Sequence, residues 1–387
     1  MHALYPGILA LLLCSVGQAD TILVGPDQAI TRISEAARRA KDGDLVLVAA
    51  GIYRGDVAVW HQKALTIKSV GGPAVLVADG QDAEGKAIWV IRHGRFEIQG
   101  FEFTGARVPS GNGAGIRFEG GQLTLSDCFF HDNQMGLLTS NAEDAELRIR
   151  DSRFADAPRQ EGSLPHLLYV GRIARFELTG SRFENGYRGH LVKSRARSTD
   201  LRYNWIVDGP EGQASYEVDL PNGGEALLVG NVIAQSAQSE NQAVVAYGAE
   251  GTAWPSNRLV VVHNTLVSQG EGPASFIRLW PEKQSADHPT RVQTRNNLAL
   301  GVGDTIEMLP GDHRGNVARS QREDSSLDLV NLRLTAARVR ETSGVVMAED
   351  MAPELLPVEE FSFPIGRVPI RGIRVWLPGA LQGWAIR

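Results

Sequence analysis

Between residues 166 and 225 the sequence gathers side chains that can move protons and hold anions. His166-Leu167-Leu168-Tyr169, Gly189-His190-Leu191-Val192-Lys193-Ser194-Arg195 and Tyr216-Glu217-Val218-Asp219-Leu220-Pro221-Asn222 follow one another at intervals of one short repeat. On a strand, residues two apart point the same way, so Lys193 with Arg195 and Glu217 with Asp219 are each expected on one face. His166 and His190, 24 residues apart, are expected on adjacent layers. Two chemistries use such a set. In β-elimination a base takes the proton α to a carboxylate, once a cation has neutralised that carboxylate. In glycoside hydrolysis two carboxyl groups do the work. Glu217 and Asp219 would lie roughly 6.5–7 Å apart at the backbone, which leaves retention and inversion both open.

Each group also has a plainer reading. Lys193, Arg195, Glu217 and Asp219 can form a solvated cross-strand ion ladder of small energetic value. Stacked histidines can satisfy each other and the backbone. Other candidates are Arg117, grouped with Arg107 and Asn112; Arg278 beside Trp280; and Tyr247 with Trp254, whose rings suit sugar C–H faces. Arg117, Arg278 and Asn222 are taken, with Glu217 and Asp219, as substrate-binding candidates. Lys193, Arg195, His190, His166 and Tyr169 are the catalytic candidates.

The elements that would position these groups form a repeat. Phe96–Phe101, Leu123–Cys128, Leu147–Ser152 and Phe176–Ser181 each alternate apolar with polar, the mark of a half-buried strand. Further members end at Asn204, Asn231, Asn264 and Asn296. The steps between end residues are 27, 24, 29, 23, 27, 33 and 32. An irregular period of about one coil of three short strands indicates a β-solenoid; propeller blades repeat at roughly 40 residues or more. The four asparagines are expected to stack at a turn and hydrogen-bond along the stack. A second strand set, including Ile116–Phe118, Leu167–Tyr169, Leu191–Lys193, Glu217–Leu220 and Ile277–Leu279, completes each coil. Residues 28–40 carry Ile30, Ile33, Ala36 and Ala37 at helical spacing and are expected to cap the first coil.

After that helix come Asp42-Gly43-Asp44-Leu45-Val46-Leu47-Val48 and Gly51-Ile52-Tyr53. This opening resembles that of the pectin-lyase-like β-helix superfamily, and the resemblance covers roughly residues 24–310. Leu332 to Ala337 is like the tails of such proteins. The resemblance implies a single-stranded right-handed parallel β-helix, an all-β solenoid with an N-terminal helical cap. It does not fix the activity, because lyases, hydrolases, epimerases and binding proteins share this fold. Lyases of the superfamily use Lys or Arg as base and often Ca²⁺ held by acidic side chains. By that resemblance Lys193 would be the base, Arg195 the carboxylate clamp, and Glu217 with Asp219 a Ca²⁺ site.

The 387 residues are 43% hydrophobic, which excludes a disordered chain. A net charge of −6 and the lack of any basic run argue against nucleic acid as the partner. Leu9–Leu13 followed by Gly17 and Ala19 read as a signal peptide over residues 1–19, too short to span a membrane, so the protein is expected in the periplasm or outside the cell. Cleavage there removes Cys14 and leaves Cys128 alone, so no intrachain disulfide is expected, and Cys128 reads as a buried small hydrophobe. The β-helix is expected over 20–314 and an irregular cover over 315–387. The favoured reading is a monomeric lyase of an acidic, uronate-containing polysaccharide. The alternatives are a glycoside hydrolase and a non-catalytic glycan-binding scaffold. A lyase needs its base in an open groove and a hydrolase needs two facing carboxylates. A scaffold would hold Lys193 in ion pairs with both of its partners.

Overall fold

Alternating residues make strands that bury one face, and the repeat lets each strand pair with its copies one coil before and after. The computed structural model describes residues 19–160, 162, 164–304, 306–319, 345–372 and 376–382, and the backbone pair Leu327–Asp328 with Arg333–Leu334. Residues 1–18 of the proposed signal segment, Cys14 included, and most of the Leu332–Ala337 tail lie outside the described residues.

A typical coil runs Arg175–Thr179, Arg182–Glu184, His190–Ser194, and the next runs Ser198–Arg202, Trp205–Val207, Tyr216–Leu220. Each strand pairs in parallel with the equivalent strand of its neighbours. Three faces result. Strands such as Arg175–Thr179 build the first face and strands such as Arg182–Glu184 the second. Their ladders join, because Leu45–Arg54 and Ala64–Val77 run through the corner between them. The third face is a ten-stranded sheet from Ala58–Trp60 to Gly303–Asp304. This is the right-handed parallel β-helix expected from the sequence.

Inward residues fill the tube in columns. Phe103, Phe130, Phe154 and Phe183 stack with ring centroids 4.7–5.0 Å apart and interplanar angles of 9° or less. That separation is the spacing of paired strands, so the coil repeat itself sets the ring contact. Cys128 sits in the same core, and burial pushes its thiol up to about 12, which suits packing and not nucleophilic chemistry.

The corner between the first two faces is a two-residue device. Its first residue has positive φ, supplied by Gly100, Asp127, Asp151, Gly180, Tyr203, Gly230, His263 and Asn296. Its second turns inward and, from Cys128 onward, bonds along the stack. Asn204 Nδ2 donates to Asn231 Oδ1 at 2.8 Å, Asn231 to Asn264 at 2.8 Å, Asn264 to Asn297 at 3.2 Å, and Asn297 to Asn316 at 2.8 Å. The fourth rung is therefore Asn297. Asn296 takes the left-handed position before it and instead bonds the backbone of Val346.

The α-helix among the described residues, α1 (Ile33–Arg39), shorter than the expected 28–40, turns Ile33, Ala36 and Ala37 inward at the N-terminal end. Asp56 accepts hydrogen bonds from the Ile33 and Ser34 amides at its start, and Gln62 donates to the Ala37 and Ala40 carbonyls at its end.

Residues 345–372 and 376–382 lie back along the outside of the later coils. Met351 and Leu355 pack on Tyr203, Val229, Val260 and Val262. Phe361 and Ala380 pack on Trp205, Val232, Val267 and Leu298. These covered outward positions are apolar, whereas the uncovered ones of earlier coils are charged, as with Glu97, Arg148 and Glu177.

Candidate active face on the ten-stranded sheet

The register of the ten-stranded sheet lines up one outward column: Arg117, Leu138, Tyr169, Lys193, Asp219, Ala246 and Arg278. Tyr169, Lys193 and Asp219 are thus direct neighbours on three successive coils, as expected. Lys193 Nζ lies 3.0 Å from Asp219 Oδ2 and 5.6 Å from the centre of the Tyr169 ring. Arg195, just past its strand, returns to the same place and donates from Nε to the Tyr169 hydroxyl at 2.9 Å. Its Nη1 donates to Asn222 Oδ1 at 2.7 Å.

Glu250 completes the cluster. It accepts from both terminal nitrogens of Arg195, Nη2 to Oε1 at 2.7 Å, and its Oε1 lies 3.6 Å from Lys193 Nζ. It belongs to the turn after strand Ala243–Tyr247, between Gly248 and Gly251, which both have positive φ. Its amide is fixed to the Pro221 carbonyl at 2.8 Å. The sequence reading missed Glu250. It lies 55 residues from Arg195 in a glycine-bounded turn, and no strand periodicity extends there.

His190 Nδ1 approaches Asp219 Oδ2 to 2.9 Å, off the axis of a linear hydrogen bond. Burial alone would raise the Asp219 carboxyl, but the contacts with His190 and Lys193 hold it below the usual carboxylate range. Arg195 likewise lowers Glu250. The His166 ring lies tilted against that of His190, centroids 4.7 Å apart, and accepts the His190 amide at Nδ1. Burial, aided by the nearby cations, drives its pKa well below the ordinary value, which keeps it a neutral acceptor. His166 and Tyr169 also border a cleft of about 560 Å³ whose other side is the loop around Ser110 and Asn112.

The expectation that Glu217 faces outward beside Asp219 is overturned. Glu217 is fully buried, and neither carboxyl oxygen has a hydrogen-bond partner. Alternation breaks at the second residue of these strands, so two successive residues turn inward: Leu167 with Leu168, Leu191 with Val192, Val244 with Val245, Phe276 with Ile277. Glu217 fills the equivalent place. Desolvation, and then the charge of Asp208, raise its pKa well above the ordinary value. Glu217 is therefore not a substrate contact on this face. The Ca²⁺ pair fails with it, since Glu217 points inward and Asp219 already faces two potential cations. No group of three or more His, Cys, Asp or Glu among the described residues is arranged to hold a metal ion.

The remaining candidates separate. Arg117 and Arg278 stand on the same column as Lys193, with Leu138 and Ala246 between. Arg117 is half-buried against Ser140, while Arg278 is exposed and its guanidinium lies 4.8 Å from the Trp280 ring centre. Tyr247 points inward and donates to the Gly224 carbonyl, and Trp254 is buried with its Nε1 on the Arg195 carbonyl at 3.1 Å. Neither ring is free to stack on a sugar.

No family model and no curated protein matches the sequence. Among solved structures the chain is similar to pectate lyase Pel9A, with a TM-score of 0.59 at 15% identity over 95% of this chain and 97% of that one. A pectin methylesterase solved with a hexasaccharide aligns with a TM-score of 0.33 at 10% identity, over 77% of this chain and 89% of that one. The first likeness shows the fold, a right-handed parallel β-helix. Among the described residues no helix is long and apolar enough to cross a membrane.

Proposed function

We propose that this chain is an exported lyase that binds an acidic, uronate-containing polysaccharide along the outer face of the ten-stranded sheet and cleaves it by β-elimination. The observation that carries this reading is the meeting of Tyr169, Lys193 and Asp219 in one column on three consecutive coils, with Arg195 joining them and both basic side chains largely enclosed by their partners. Arg195, held flat by Tyr169 and Asn222, is suited to a bidentate carboxylate. Lys193, engaged with Asp219, serves as the second cation that stabilises charge building on that carboxylate as the α-proton leaves. His190, set against Asp219, is then the acceptor of the α-proton; the C–H electrons form the new double bond, the glycosidic C–O bond breaks, and the leaving oxygen takes a proton from solvent. Lys193, the base expected by resemblance, is the second candidate acceptor. Arg117 and Arg278, several coils to either side, are placed to meet further uronates of an extended chain.

The pairing of Lys193 with both Asp219 and Glu250 favours a second reading, a glycan-binding face without catalysis. One assay separates the two. Polygalacturonate, alginate and a glucuronate polymer are incubated with the protein, with and without Ca²⁺, and the ultraviolet absorbance of unsaturated uronates is followed. Elimination predicts a rise on one polymer that falls by about 10²-fold or more in His190→Ala and Lys193→Ala with the fold intact. Binding without any rise would favour the scaffold.

A further inference from the structure

The Arg195 guanidinium is aimed and held before any ligand arrives. Tyr169 OH at 2.9 Å and Asn222 Oδ1 at 2.7 Å fix its plane without help from Glu250. Only the outward edge of the fork is taken by Glu250, through both carboxylate oxygens. The two partners are unequal: the Arg195 side chain is 17% exposed and that of Glu250 is 46% exposed. Glu250 also rides on a turn bounded by glycines, whereas Arg195 is anchored beside a strand in the sheet. If one of the two withdraws, it is Glu250.

Charge points the same way. Two cations, Lys193 and Arg195, face two carboxylates, Asp219 and Glu250. A ligand that displaced Glu250 with a neutral sugar face would strip Arg195 of its charged partner. A ligand carboxylate restores the same bidentate geometry and the same balance.

We infer that the Glu250 carboxylate occupies the seat of a ligand carboxylate and is displaced when an acidic glycan binds, so that Glu250 sets both the affinity of the site and its preference for uronates over neutral or esterified sugars. This rests on the acidic-polysaccharide reading of the same face. A site occupied by its own plug binds ligand more weakly in proportion to the fraction of open molecules.

The test follows the side-chain Nε–H signal of Arg195 by NMR, assigned with Arg195→Lys, during titration with sodium acetate, with a galacturonate trimer and with the methyl-esterified trimer. Wild type is compared with Glu250→Gln and Glu250→Ala, and the dispersed spectrum reports an intact fold. The account predicts that both variants bind the acidic trimer about tenfold or more tightly than wild type, with no gain for the esterified trimer. Equal or weaker binding in both variants would overturn the plug and make Glu250 a wall of the site, while leaving the polysaccharide reading intact. A tighter response to acetate, with no trimer bound by any protein, would uphold the carboxylate seat and remove the polysaccharide. No response at Arg195 to either acid in the variants would overturn both.

Discussion

A buried carboxyl group with no hydrogen-bond partner is costly to ionise, and Glu217 is such a group. Asp208, whose charge reaches it, accepts the Gly186 and Ala214 amides, yet burial still raises it to about 6. Both acids have folded pKa values above their unfolded ones, near 4. The stability they contribute is complete below about pH 4 and is lost as pH rises through the folded values. The protein is therefore expected to lose thermal stability from pH 5 to pH 8. Glu217→Gln should raise the melting temperature at pH 8 and leave it nearly unchanged at pH 4, as read by calorimetry at the two pH values. Asp219 has the opposite sign. Its pKa is lowered, so its contribution holds above about pH 4 and fades as pH falls below that. At this scale the sequence was readable for Tyr169, Lys193, Arg195 and Asp219, which lie on regular alternation. It was misread at Glu217, although the apolar doublets Leu191-Val192 and Val244-Val245 mark the double inward turn once the coils are set under one another.

At the scale of elements, the corner asparagines and the aromatic stack carry the coil-to-coil fit. Asn231 donates to Leu201 O and Asn264 Oδ1, and accepts from Asn204. Asn231→Ala should cost roughly 3 kcal/mol, since several buried partners lose a bond at once. Phe154, between Phe130 and Phe183, should cost about 4 kcal/mol as Phe154→Ala. Denaturant titration of each variant checks both figures. The ladder could be read from residues one period apart, because the side-chain alternation and the turn chemistry agree there. The slip from Asn297 to Asn296 arose because two asparagines adjoin, and either suits a turn. What separates them is that a positive-φ residue precedes every rung, as Gly230 precedes Asn231 and His263 precedes Asn264.

Across the whole molecule, the returning C-terminal residues decide which outer surfaces stay dry. They cover Trp205, Val229, Val232 and Val262. Removing residues 345–387 should expose this apolar strip, raise binding of a hydrophobic dye and promote aggregation. The irregular tail gave no periodicity from which its path could be read. The same holds for the turn that brings Glu250 to Arg195, since contacts 55 residues apart through a loop leave no local pattern. The ten-stranded sheet carries the central claim, that Arg195 and its neighbours receive the carboxylates of an acidic polysaccharide. Calorimetric titration of galacturonate oligomers against the wild type and Arg195→Ala tests it most directly. The account predicts salt-sensitive binding by the wild type, weakened by about tenfold or more in the variant, with little affinity in either for the fully methyl-esterified oligomer. Equal affinity of the two proteins for the acidic oligomer, or equal affinity of the wild type for acidic and esterified oligomers, would contradict it.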